Sequence, residues 1–406
     1  MDCRQGCDTF EPDEAGRVLD RLAGLEKVIL NEDVEQALSQ ANRSNPRGCR
    51  LAHEVMLWVV LTMGLFTEVP IRTAFKYGRR VRKGELTPTC SSLCRGRQRL
   101  GIAPVRLLFQ QTVRPLAERT TPGCFYHGFR KMAFDSTTFN VPDTRANEVT
   151  FGRPRGGNGD GAFPQVTKLS LVELGTHVEI AFVGNDCHRN ERQMVYRLVR
   201  HLTPEMLVML DRGFFGYAMW RLITSHGAQI LGRVPASPLL KAIKSLSDGS
   251  HLAKLYPSKA MRRKDKGGVV VRVIRYTIDD SQRTGHQQEH RLITTFMDEK
   301  TFPASELILE YHERFEEEHT FDEEKTHQDP PRPTKPTHLR SETPAGVIQE
   351  MYALSLGHFV TRALMYEAAQ SDGLDPDRLS FTGCFHVLKC RLPEVARNAG
   401  PTSVQE

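Results

Sequence analysis

Apolar positions recur at helical spacing through the first part of the chain, in "VLDRLAGLEKVI", in Val55 to Phe66 ("VMLWVVLTMGLF") and in "VRLLFQQTVRPLAE". This pattern predicts a helical section up to about residue 125. The Val55 to Phe66 run is apolar on every side but falls short of the roughly 20 residues that a membrane helix needs, so it reads as a buried helix. From about residue 130 the pattern turns to strands. "KMAFDSTTF" is a short apolar run expected to end as a strand on Asp135, and "KLSLVEL" and "HVEIAFV" form a hairpin around Gly175 and Thr176. A helix, "ERQMVYRLVRHL", comes next, and then "MLVMLDRGFFG", a buried strand ending on Asp211. Beyond the helix "YAMWRLITSHG" and the strand "AQILGRV", residues 236–300 carry further strand patterns, among them "GGVVVRVIRYTI" and "HRLITTFM", and read as a β-rich insertion. "HQDPPRPTKPTHLRSETP" holds too many prolines to continue a helix. "AGVIQEMYALSLGHFVTRALMYEAA" then forms a helix that packs back on the body, and residues after about 391 form a loose tail.

Composition narrows the class. With 406 residues, 39% hydrophobic and 26% charged, the chain is globular and long enough for two or three structural units. The amino terminus, "MDCRQGCDTFEPDE", has no apolar stretch after a basic start, which places the expected location in the cytoplasm. The nine cysteines show no paired zinc-ribbon spacing and are expected to be reduced structural thiols. A net charge of +6 fits a polyanionic partner without requiring one. The excess has a local source: Arg72, Lys76, Arg79, Arg80, Arg82, Lys83, Arg95, Arg97 and Arg99 face one acid, Glu85. Such a cluster is either a phosphate-contacting surface, which gains by releasing counterions, or a solvated basic face.

Three further places carry chemistry. Acids at the carboxyl ends of buried strands point into the crevice where open α/β sheets place ligands. Asp135 and Asp211 both have this placement, although each taken alone is as readily a helix cap or a turn acid. The glycine-rich "TFGRPRGGNGDGAFP" lacks the ending of a phosphate-binding P-loop and is either a basic active-site loop or a connector. In "YHERFEEEHTFDEEKTH", a helix turning about 100° per residue brings Tyr311, Arg314, Glu318 and Lys325 to roughly 0°, 300°, 340° and 320°, one narrow stripe. Asp322 lies near it as an alternative acid, whereas Glu313, Glu317 and Glu324 fall elsewhere and are expected to be solvated. Two cations and an anion on one stripe make poor core packing but suit a metal beside a phosphate chain.

Y-x2-R-x3-E-x6-K, here Tyr311, Arg314, Glu318 and Lys325, resembles the signature of DDE transposases of the insertion-sequence-four group. "FDST" and "LDRGFF" resemble the sites of that family's first and second aspartates, and "FGRPRGG", "AFPQV" and "LRSETPAGVIQEMYALSL" are similar to its text. The resemblance runs to about residue 370; where many relatives have Trp and an apolar residue, this chain has Phe315 and Glu317. It implies an α/β fold: an RNase H-like catalytic domain (residues 126–235 and 301–390) interrupted by the β-rich insertion (236–300). A helical DNA-binding domain (1–125) precedes it and a tail (391–406) follows. It further implies that Asp135, Asp211 and Glu318 hold Mg²⁺, for which Mn²⁺ can substitute, and catalyse cleavage at terminal inverted repeats and transfer into target DNA. Tyr311, Arg314 and Lys325 would contact the strand, and Arg79, Arg80, Arg82, Lys83 and Arg97 the repeats. Double-stranded DNA would be the partner, a homodimer the synaptic assembly, and the bacterial nucleoid the place of action. Two rivals stay open: a decayed DNA-binding relative, and a nuclease of the same fold that does not join strands. A hydrolase using His188 with Asp186 or Glu191 is the weakest alternative.

Overall fold

The computed structural model describes residues 25, 27–43, 51–78, 87–156, 159–279, 287–316, 323–329 and 337–398. Arg79, Arg80, Arg82, Lys83, Glu317, Glu318 and Asp322 lie outside the described residues, and of Arg314 and Phe315 only the backbone is described.

Five helices open the chain: α1 (Asn31–Gln40), α2 (His53–Leu65), α3 (Ile71–Gly78), α4 (Cys90–Leu100) and α5 (Ala103–Thr112). α2 falls on the apolar Val55 to Phe66 run and α5 on the first part of "VRLLFQQTVRPLAE", whereas most of "VLDRLAGLEKVI" lies outside the described residues and its described end is not an α-helix. α2 is buried from Met56 to Leu65, as a helix without a polar stripe must be. It packs on the longest helix, Pro344–Asp372, which is itself buried along much of its length. Gly64 makes that contact close, because a Cβ there would stand 2.1 Å from the carbonyl oxygen of Ala353. The long helix begins where Thr343 caps the amide of Gly346 and ends at Gly373, whose φ of 65° only glycine adopts freely. A last helix, Phe381–Asn398, follows it.

The strands are β1 (Phe125–Tyr126), β2 (Phe129–Asn140), β3 (Arg155–Gly156), β4 (Gly159–Asp160), β5 (Gln165–Glu173) and β6 (Val178–Asp186), then β7 (Met206–Leu210), β8 (Gln229–Arg233), β9 (Ala242–Ser245), β10 (His251–Leu255), β11 (Val269–Tyr276) and β12 (His290–Thr294). Interspersed are α6 (Arg145–Phe151), α7 (Glu191–Leu198), α8 (Tyr217–Thr224), α9 (Lys259–Arg263) and α10 (Ala304–Glu316). β3 and β4 pair within the glycine-rich segment. The other strands form one sheet in the order β6-β5-β2-β7-β8-β12-β11-β10-β9, with β1 added against β2. β6, β5 and β2 are antiparallel, and β2, β7 and β8 are parallel. This is the RNase H-like core. The strands of the expected insertion do not build a separate layer; β12 pairs with β8 and carries the same sheet onward.

The two sheet faces differ. Met132, Phe134, Val208, Leu210 and Ile230 pack against α7 and α8, and each such large apolar side chain contributes roughly 1.5–3 kcal/mol on burial. Ala133, Leu207, Met209 and Leu231 face Leu307 and Tyr311 of α10. A third cluster joins α1–α5 to the long helix and the last helix, so the helical section and the carboxyl-terminal helices share one core. No described helix is long and apolar enough to cross a membrane.

Candidate active site

β2 and β7 pair in parallel from Arg130 with Met206 through Ala133 with Met209. Two residues further, that register sets Asp135 abreast of Asp211. Because side chains alternate along a strand, both acids leave the sheet on the face that Ala133 and Met209 present to α10. Adjacent strands lie about 4.8 Å apart, so the two carboxylates are within reach of a common cation. Both residues are half-buried. Asp211 follows β7 directly, at the start of the turn Arg212–Phe214. Asp135 does not end its strand as the apolar run suggested. β2 continues to Asn140 because β5 pairs with it along that whole length, so polar residues are held extended by a neighbour rather than by their own pattern.

α10 delivers the next contacts. Tyr311 is fully buried, and its hydroxyl donates to the carbonyl oxygen of Leu210 at 3.3 Å and to Oδ1 of Asp211 at 3.5 Å. The expected phosphate contact by Tyr311 does not fit that burial; the side chain instead braces the end of β7 that carries Asp211. Arg314 lies one turn further along α10.

Lys325 sits on a single turn of π-helix, Glu323–Gln328, whose wider winding breaks the 100° count that placed it on one stripe with Tyr311. It nevertheless reaches the same face. Its Nζ donates to Oγ1 of Thr137 at 3.1 Å and lies 5.7 Å from the ring centroid of Phe139. Thr137 is two positions beyond Asp135 on β2 and shares its face. Burial pushes the Lys325 ammonium below its ordinary pKa, and among the described residues no carboxylate pairs with it.

Two expectations are corrected by burial. Arg97 is not on a DNA-facing surface: it is 8% exposed, and its guanidinium donates to Glu350 at 3.4 Å and to the carbonyl of Gly346 at 3.1 Å. Arg72, Lys76, Arg95 and Arg99 are exposed. Glu324 is not solvated: it is fully buried and bound by Lys168. Its neighbour Glu323 is buried too, where it meets His358 at 2.8 Å and pairs with Arg362. Burial would raise the Glu323 carboxyl, but hydrogen bonds from His177 and His358 and the charge of Arg362 hold it well below the usual range. The sequence did carry a signal for this network. His358 and Arg362 sit four apart on a largely apolar helix; charges in such places need buried partners.

Among the described residues no three His, Cys, Asp or Glu side chains gather as a metal site. The oxygen-donor pair Asp135 and Asp211 nonetheless suits a hard divalent cation, and the acid expected to complete it, Glu318, is outside the described residues.

Paired aspartates on the two central parallel strands of an RNase H-like sheet define the DDE class of phosphodiester-processing enzymes. Residues 126–332 match the model of the transposase DDE domain, and residues 19–110 match that of the Insertion element 4 transposase N-terminal region. The chain belongs to the insertion-sequence-four family of DDE transposases. It is 27% identical over 401 residues to transposase InsG for insertion sequence element IS4 of Escherichia coli strain K12, covering 93% of this chain and 87% of that protein. It is 21% identical over 206 residues to the putative transposase InsZ of the same organism, covering 50% of this chain and 68% of that one. A piggyBac transposase synaptic complex with hairpin DNA superposes at a TM-score of 0.47 and 11% identity, over 95% of this chain and 83% of that one, a likeness too loose to argue from. The chain is thus an insertion-sequence transposase, an enzyme that cleaves DNA and transfers strands in a divalent-metal-dependent reaction.

Proposed function

We propose that Asp135, Asp211 and Glu318 are the three carboxylates of the DDE site, and that they hold Mg²⁺, with Mn²⁺ able to substitute. The observation that carries this reading is the register that puts Asp135 and Asp211 abreast on adjoining parallel strands, on the face that α10 covers. Held by these carboxylates, such a cation would activate water or a 3′-hydroxyl and stabilise the leaving oxygen in an in-line displacement. The chain's own residues prepare the substrate. Lys325, half-buried and beside Thr137, holds a phosphate oxygen next to the acids. Arg314 contacts the same strand, and Tyr311 keeps Asp211 in place through its hydroxyl.

The remaining parts follow the same division. Residues 1–125 recognise the terminal inverted repeats, with the exposed Arg72, Lys76, Arg95 and Arg99 joined by Arg79, Arg80, Arg82 and Lys83. Residues 126–235 and 301–390 form the catalytic domain around the insertion at 236–300. Two copies pair the element's ends, and the reaction takes place in the cytoplasm at the nucleoid.

The test is Mg²⁺-dependent cleavage of a duplex carrying the element's own terminal repeat, comparing the natural chain with Glu318→Ala and Asp322→Ala. Cleavage lost with Glu318→Ala and kept with Asp322→Ala is the expected result. The opposite pattern would move the third ligand to Asp322, and intact cleavage in both would remove this segment from the site.

A further inference from the structure

Beneath the turn that carries Lys325 lies a dry polar cluster whose charges do not cancel. The fully buried ammonium of Lys168 donates to both carboxyl oxygens of Glu324, at 2.9 and 2.7 Å, and to Oγ of Ser355 at 2.9 Å. Oε2 of Glu179 stands 2.8 Å from the same nitrogen. Among the described residues no other group donates to that oxygen. The other Glu179 oxygen accepts from Ser170. Glu179 is 2% exposed and Glu324 not at all, so two buried carboxyls face one ammonium. Both carboxyls thus stand within 2.8 Å of one nitrogen.

Among the described residues the neighbours do not supply a second cation. From the long helix, Arg362 and His358 are engaged by Glu323, and Tyr352 is a neutral phenol whose ionisation is made harder by burial. Nδ1 of His177, at the β5–β6 turn, lies 2.8 Å from the Arg362 guanidinium and 3.5 Å from Glu323. The ring of Phe182 covers Lys168 at 4.9 Å. Lys325 points away, to Thr137. An unpaired buried carboxylate is costly enough that such a site takes up a proton instead.

We infer that Glu179 and Glu324 share one proton above Lys168, and that this neutral arrangement seats the Glu323–Gln328 turn so that Lys325 stands beside Asp135. Glu324 is therefore a positioning residue: it touches no DNA, but it fixes the backbone next to the residue that does. The inference rests on the reading of Asp135 and Lys325 as parts of the active site. The electrostatics agree with it. Burial, opposed by Lys168 and reinforced by Glu179, pushes Glu324 up to about 8. Burial would lower Lys168, but the two carboxyls hold it above its ordinary value. Because the folded chain keeps a proton that the unfolded chain releases above about 4.5, the proton's contribution to stability is complete below that pH. It is lost progressively as pH rises to about 8. Above that point a second buried anion pushes against Glu179, and the turn loosens.

The experiment is Mg²⁺-dependent cleavage of the terminal-repeat duplex by the full chain between about pH 7 and pH 9, with the melting temperature followed over the same range. The natural chain should lose about tenfold in cleavage across it, whereas Glu324→Gln and Glu179→Gln, each unable to supply the second charge, should change by about twofold or less. Their melting temperatures should likewise be flatter with pH than that of the natural chain. Superimposable profiles for the natural chain and both variants would overturn the inference, as would the absence of any alkaline loss in the natural chain. If one glutamine variant fails to fold, the other makes the same comparison. Failure of both would also overturn it, since an amide N–H replaces the shared proton. Asp135→Asn in the same assay separates the two levels. If it cleaves normally, the site reading fails; if it is inactive while the glutamine variants keep the natural profile, only the shared proton fails.

Discussion

Asp135 and Asp211 stand on the same face of the sheet that Glu323 and Glu324 meet from above, and the two pairs of carboxylates are held in contrasting ways. The aspartates are half-exposed side by side, where two anions roughly 5 Å apart repel by up to about 3 kcal/mol before solvent screening. The glutamates are buried and bound on several sides, by Arg362 and His358 in one case and Lys168 in the other. In the proposed site the first pair is left open to a ligand, at some cost to stability. The second is consumed by the fold and locates the turn that bears Lys325. Carboxylate chemistry is the same in both; what separates them is how much of the neighbourhood is already committed.

Substitutions can break this contrast. The largest effect is expected at the aspartates: Asp135→Asn or Asp211→Asn should lower cleavage on the order of a thousandfold or more, while thermal unfolding shows unchanged or slightly raised stability because a repulsion is removed. Lys168→Met should act in the opposite sense. It leaves Glu179 and Glu324 buried without their cation, and denaturant unfolding should show a loss of about 3–5 kcal/mol. A stability change below about 1 kcal/mol there would mean that the cluster is wet and that the contrast is overstated. Tyr311→Phe is the mildest. It removes a hydroxyl bonded to Leu210 and Asp211, so about 1 kcal/mol of stability should be lost, with cleavage reduced severalfold as Asp211 gains freedom.

Much of this was legible in the chain. The all-apolar run of α2, the alternating strands of the β5–β6 hairpin and the acid after "MLVML" each report one local environment, and each was found where the pattern placed it. Tyr311 and Lys325 both reach the face that carries Asp135 and Asp211, but helical counting could not foresee the π-turn that carries Lys325. Nor could local pattern show that β2 runs on past Asp135, since its extension depends on β5, a partner more than twenty residues away. Arg97 and Glu324 depart from the expected exposure for a related reason. A charged residue is exposed by default, and only the distant Glu350 and Lys168 make these two buried.

The account stands on Asp135 and Asp211 sharing a cation, and Mn²⁺ binding to the full chain, followed by electron paramagnetic resonance in the presence of its terminal-repeat duplex, tests this most directly. Weakened binding in Asp135→Asn, in Asp211→Asn and in Glu318→Gln, with duplex binding retained in all three, is the predicted result. Mn²⁺ affinity equal to that of the natural chain in both aspartate variants would contradict it.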